Sequence, residues 1–163
     1  MRLDNYKCIS GKDINVDEYI KYYEMIKSTM TNPEWLGDFD KKSILSLISN
    51  GANIWMYFDG DVFVSSIMYI PGDSEMNTIC SLEDSIPTCE CGPLFVSPDY
   101  RGLGIQKEML NILEDYSECN YVITTVHPNN EYCINNFIGF GYEFVKTCHF
   151  KRGPRNIYIK KIL

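Results

Sequence analysis

The chain has 163 residues, 45% of them apolar and 23% charged, as expected of one soluble domain over residues 1–163 with a single core. Its net charge is −7 and its Lys and Arg residues are scattered, so the basic stripe that nucleic-acid binding needs is missing and no nucleic-acid partner is expected. No apolar run approaches the roughly 18 residues that cross a bilayer, and the opening MRLDNYKCIS has no apolar signal segment, so a cytoplasmic protein without a membrane partner is expected. Seven cysteines, an odd number, argue for free thiols rather than a disulfide framework. Cys89-Glu90-Cys91 lacks the C-x-x-C spacing of structural zinc sites, so no metal is expected.

In chain order, YKCI reads as a short strand. Val16, Tyr19, Ile20, Tyr23, Ile26 and Met30 fall on one face of a helix that Asn15 and Glu18 can cap. A polar link, TNPEWLGDFD, leads to a second helix capped by Asp40 and ending near Gly51. NIWMYF and VFVSSIMYI, separated by DGD, predict a β-hairpin. The acidic stretch PGDSEMNTICSLEDSIP is too polar for a core element and is expected as a surface segment. TCECGPLFV reads as a strand with a bulge or a local loss of pairing at Gly92-Pro93. A helix with Ile105, Met109, Ile112, Leu113 and Tyr116 on its buried stripe follows, then the apolar strand YVITTV, a short helix around NNEYCINNF, and two strands flanking KRGP. The order β-α-α-β-β-β-α-β-α-β-β predicts a mixed α/β fold.

Arg101-Gly102-Leu103-Gly104 stands where a strand hands over to a helix. Exposed backbone amides and the positive end of a helix favour an anion there, although glycines also make tight turns for their own sake. The Walker pattern is absent, and the G-x-G-x-x-G fingerprint fails because its third glycine position holds Lys107, so a nucleotide-binding protein is disfavoured.

The stretch VSPDYRGLGI, residues 96–105, resembles motif A of the GNAT N-acetyltransferase superfamily, where this turn binds the pyrophosphate of acetyl-coenzyme A. NEYCINNFIGFGYEFV, residues 130–145, is similar to the family's motif B through Asn130, Cys133, Phe137, Gly141 and Tyr142. The resemblance covers most of the chain and is weakest before Asn53. It implies a GNAT-like fold with a central, mostly antiparallel mixed sheet flanked by helices. It also implies an acetyl-coenzyme A-dependent N-acyltransferase acting directly on a primary amine, with acetyl-coenzyme A as co-substrate and no metal.

By that resemblance, GPLFV splays from YVITTV to admit the pantetheine arm. Backbone groups of Leu94, Phe95 and Val96 pair with the arm, amides of Arg101, Gly102, Leu103, Gly104, Ile105 and Gln106 hold the pyrophosphate, and Asn130 bonds the arm. Gln106 stands where relatives often carry Gly or Ala, and Phe137 where they often carry a Tyr that protonates the leaving thiolate.

Glu90 is the first candidate to take the acceptor's proton, with His127 second; Tyr132 or Cys133 are substitutes for the missing tyrosine acid. The link between the first two helices lines the acceptor side in the family, and here offers Glu34, Trp35 and Asp38 to a cation, with a plain surface turn as the alternative. The expected partner is a small-molecule or peptide amine. The terminal strand RNIYIKKI either pairs across a homodimer or ends the sheet. Phe137 favours a second reading, a weakly active or inactive acyl-coenzyme A-binding module.

Overall fold

The computed structural model describes residues 2–163. Thirteen regular elements follow one another: β1 (Lys7–Ser10), α1 (Val16–Ser28), α2 (Lys41–Ser49), β2 (Asn53–Asp59), β3 (Val62–Pro71), α3 (Ser74–Ile79), β4 (Thr88–Cys91), β5 (Phe95–Val96), α4 (Ile105–Tyr116), β6 (Tyr121–Val126), α5 (Glu131–Gly139), β7 (Glu143–Phe150) and β8 (Gly153–Lys161). The strands form one sheet in the order β1-β2-β3-β4-β6-β8-β7, and β5 pairs with β3 alone. Every pairing is antiparallel except β4 with β6.

The local signals explain the elements. Asn15 accepts hydrogen bonds from the amides of Asp17 and Glu18 and so starts α1. Asp40 and Ser43 exchange a full capping box at the start of α2. Gly60 takes the positive φ of the β2–β3 turn.

Apolar side chains on the two sheet faces build separate cores. Tyr19, Tyr23 and Ile26 of α1 and Ile44 of α2 close over Ile54, Met56, Phe63, Met68 and Phe95. On the opposite face, Ile105, Met109, Leu110 and Leu113 of α4 close over Trp55, Ile67, Cys89 and Val122. All seven cysteines are free, and four of them are less than fully buried. Among the described residues no helix is long and apolar enough to cross a membrane.

Three readings of the sequence need correction. The acidic stretch contains α3: Asp73 caps its first turn, and Met76 packs on Ile123 and Ile157. Its polar Asn77 is buried because its side chain bonds the carbonyls of Glu83 and Ile86 and accepts from Thr88. Composition counted that asparagine as surface, but it is the clamp that folds the segment back. Second, TCECGPLFV is two strands, not one. Third, β8 neither ends the sheet nor offers a free edge for a dimer, since β6 and β7 occupy both its sides; β1 and β7 are the edges.

Candidate active site

The break between β4 and β5 opens the site. Tyr69 pairs with Cys91 and Ser66 with Phe95, so β3 advances three residues while its partner advances four. The extra residue is a bulge at Gly92-Pro93-Leu94. Gly92 suits the close approach there: a Cβ would stand 2.8 Å from Ile70 Cδ1 and 3.2 Å from Met68 Cβ, so a side chain would push β3 side chains aside. Pro93 has no N–H to leave unpaired.

Beyond the bulge the neighbouring strand is lost. β4 pairs with β6 through Thr88, Cys89 and Glu90, the last opposite Ile123. β5 has no partner on that side. Because Ser97 donates its N–H to Val64 O on β3, alternation turns the backbone groups of Leu94 and Val96 into the gap. Val96 O already accepts from Arg101 Nε at 3.3 Å, which draws the Arg101 side chain back along the strand.

The glycine turn closes the gap's far end. Gly102 and Gly104 have φ of 77° and 78°, the left-handed region that disfavours a side chain. A Cβ at either position would meet nothing within 4 Å. Packing within the chain therefore does not account for the open space over these glycines. Between Arg101, whose N–H reaches Pro98 O, and Lys107, whose N–H reaches Gly104 O, no backbone amide finds a backbone carbonyl among the described residues. Gly104 supplies no side-chain cap to α4. A run of unpaired donors at the positive end of a 12-residue helix, under open space, fits a pyrophosphate.

The remaining candidates divide. Leu103 is exposed, whereas Ile105 is buried, so its backbone alone faces outward. Gln106 accepts from Asn136 Nδ2 at 2.8 Å and directs its own amide to Cys133 Sγ, bracing α4 on α5. Asn130 caps α5 by accepting from Cys133 N–H, which leaves its amino group for other work. Phe137 is buried against Tyr142. Tyr132 is 63% exposed on the first turn of α5. Burial pushes the Cys133 thiol up to about 11, against a smaller lowering by Gln106, so it stays protonated.

Glu90 lies at the last rung before the gap, on the sheet face covered by α3. Burial, then the nearby charges of Asp73 and Glu75, push its carboxyl up to about 7. His127 follows β6; its Nδ1 accepts from Asn129 N–H, and its ring stacks on Trp35 with centroids 5.9 Å apart. A neutral His127 thus carries its proton on Nε2, and the lone pair on Nδ1 is occupied.

The α1–α2 link is less acidic than its sequence suggests. Asp38 is paired with Lys27, and the Tyr23 hydroxyl bonds Gly37 O. Glu34 gives its carbonyl oxygen to Arg155 at 2.8 Å. A cation arriving here would have to displace Lys27 from Asp38. Arg155, which sequence reasoning missed, does announce itself: it stands in phase with Ile157 and Ile159, on the buried side of β8.

A bulged strand splaying from its parallel neighbour and running through a glycine turn into a helix defines an acetyltransferase fold of the GNAT type. The chain belongs to the acetyltransferase (GNAT) family, whose model matches residues 16–142. No curated protein sequence matches it. A GNAT-family acetyltransferase from Streptococcus agalactiae is similar in structure, with a TM-score of 0.75 at 16% identity over 96% of this chain and 95% of that one. Arabidopsis thaliana NAA60 in complex with acetyl-CoA gives 0.73 at 14% identity, over 96% and 99%. Arabidopsis thaliana Naa50 in complex with the bisubstrate analogue CoA-Ac-MVNAL gives 0.67 at 18% identity, over 96% and 99%.

Proposed function

We propose that the protein transfers an acetyl group from acetyl-coenzyme A directly to a primary amine. The observation that carries this reading is the turn of unpaired amides and open space at Gly102–Gly104, continuous with a strand gap of the right polarity. Naa50 and NAA60, similar in fold, are bound to a coenzyme A–peptide analogue and to acetyl-CoA respectively, which supports both the co-substrate and a peptide-like acceptor.

When bound, the coenzyme supplies an acyl thioester: the amine nitrogen bonds the carbonyl carbon, the C–S bond breaks, and one proton leaves the nitrogen. The chain's residues serve this in three ways. Amides of Arg101 to Gln106 hold the pyrophosphate. Leu94 and Val96 offer backbone groups to the arm, and an N–H among them takes the carbonyl oxygen as charge grows on it. Asn130 holds the arm with its free amino group. Glu90 takes the amine's proton, directly or through water, since a carboxyl near 7 is a competent base at neutral pH. His127 is less suited, because its Nδ1 lone pair is engaged.

Calorimetric titration with acetyl-coenzyme A, with NADH and ATP as controls, tests the binding half. Amine-dependent release of free thiol tests the transfer half. Selective binding without thiol release from any amine would leave only the binding module.

No phenol stands at position 137, so the thiolate leaves with less help. Phe137→Tyr is expected to raise the single-turnover rate at saturating amine, within the roughly 10²- to 10⁴-fold that a general acid contributes. An unchanged rate would mean that thiolate protonation does not limit transfer, which a thiol pKa near 8.5 allows.

A further inference from the structure

Arg155 is 8% exposed, the only charged residue so deeply buried among the described residues. Its Nη1 donates to Pro154 O and its Nη2 to Glu34 O, each at 2.8 Å. Among the described residues no carboxylate is in direct contact with it: Asp38 is held by Lys27, and Glu34 bonds it through its backbone oxygen, so both acids act on the guanidinium only through space. Arg152, which stands over the Phe39 ring, adds a second positive charge nearby. Pinning the link to β8 needs one N–H donor, Nη2 to Glu34 O, but no charge, and a buried charge without a bonded counter-charge is costly. Among the described residues the Arg155 Nε–H has no partner, and it is not sealed from solvent. The guanidinium therefore keeps donors for a directly bonded anion, which neither Asp38 nor Glu34 supplies.

Its position says which anion matters. Val126 pairs with Asn156, so Arg155 sits on the sheet beside His127, whose ring is stacked under Trp35. Arg155, Ile157 and Glu90 share one face, and Thr125, between Ile123 and His127, is its exposed floor. Glu90 lies opposite Ile123, four residues before His127, or roughly 13 Å along the strand at about 3.3 Å per residue. A proton acceptor and an anion anchor thus stand at the two ends of one strip of the sheet face, covered by α3 at Ile123 and Ile157 and exposed at Thr125, beside a Trp35–His127 platform.

We propose that the acceptor is a short amine that carries a carboxylate, its amine directed to Glu90 and its carboxylate to Arg155. This rests on the transfer reading above and narrows it: the acidic balance of the chain suggests a cation, but the buried charge on the acceptor side is positive. The spacing suits the length of a di- to tetrapeptide, whose free C-terminus is the anion.

The test uses glycine oligomers of one to four residues, each as free acid and as C-terminal carboxamide, with acetyl-coenzyme A and thiol release as readout. At the best length the acid is expected to exceed its carboxamide in kcat/KM by about ten- to a hundredfold, the scale of a charge-assisted hydrogen bond. Arg155→Gln is expected to level the pair, and Arg155→Lys to retain part of the preference. Melting temperature and acetyl-coenzyme A affinity are measured on both variants to show that they fold. Acid and carboxamide within twofold at every length, or a preference that survives Arg155→Gln, would overturn the proposal. If no oligomer releases thiol while acetyl-coenzyme A still binds, the transfer reading fails by itself. Binding of the same oligomers, followed by NMR, then decides the anion site: a carboxylate preference lost in Arg155→Gln supports it, and no preference or no binding overturns it.

Discussion

Gly104→Val is expected to weaken acetyl-coenzyme A binding about a hundredfold while lowering the melting temperature only modestly. Gly104 has φ of 78°, where a β-branched residue is strained by about 1–2 kcal/mol, and a domain of this size loses roughly 2–4 °C per kcal/mol. Its Cβ would meet no atom of the described residues within 4 Å, so backbone strain is the main structural cost. The side chain would instead fill the space over the unpaired amides of residues 102–106 and keep a pyrophosphate from approaching them. Gly60→Val is the matched control: it too has positive φ and open space, but lies in the β2–β3 turn. It should lose similar stability and no affinity. Calorimetry on both variants separates the two roles of glycine. Equal, small losses of affinity would mean that the turn serves folding alone.

The glycine turn was legible because its chemistry is local: a strand end, two glycines and a helix start are contiguous in sequence. The bulge was legible for the same reason, since Gly92 and Pro93 each violate a strand rule. What the bulge does was legible only through the family resemblance, which implies that GPLFV splays from YVITTV; the residues alone do not show it, because the loss of pairing between β5 and β6 depends on two segments far apart in the chain. Asn77 shows the same limit. Its burial is made acceptable by partners at residues 83, 86 and 88, which no composition of the acidic stretch encodes. On the acceptor side, sequence supplied Glu34 and Asp38 as acids, but Lys27 is eleven residues upstream of Asp38 and Arg155 lies on the last strand. The sign of a charge cluster is set by tertiary contacts. Asn130 was read as an arm ligand with a plain helix cap as the alternative; its oxygen does cap α5, and that bond does not use its nitrogen.

Glu90→Gln is expected to lower kcat by about 10²- to 10⁴-fold and to remove an acidic limb near pH 7 from the rate profile. The wild-type base works only when ionised, and its carboxyl is pushed up to about 7, first by burial and then by Asp73 and Glu75. Activity should therefore fall about tenfold per pH unit below 7 and level off above it. The limb alone does not say which group is the base. The stability of the protein does. A carboxyl with an unfolded value of 4.5 and a folded value of about 7 is protonated longer in the native state. The native state then binds more protons than the unfolded one, and stability falls as pH rises from 4.5 through 7. The loss above pH 7 is on the order of 3 kcal/mol, since each pKa unit is worth about 1.4 kcal/mol. The carboxamide of Glu90→Gln cannot ionise, so the variant should lose that decline and melt higher than wild type at about pH 8, while near pH 5 the two converge. Catalysis and stability thus move in opposite directions at one residue. If both proteins lose stability in parallel between about pH 5 and 8, the Glu90 carboxylate is solvated; if the acidic limb also persists in the variant, the proton is taken elsewhere and His127 becomes the residue to test.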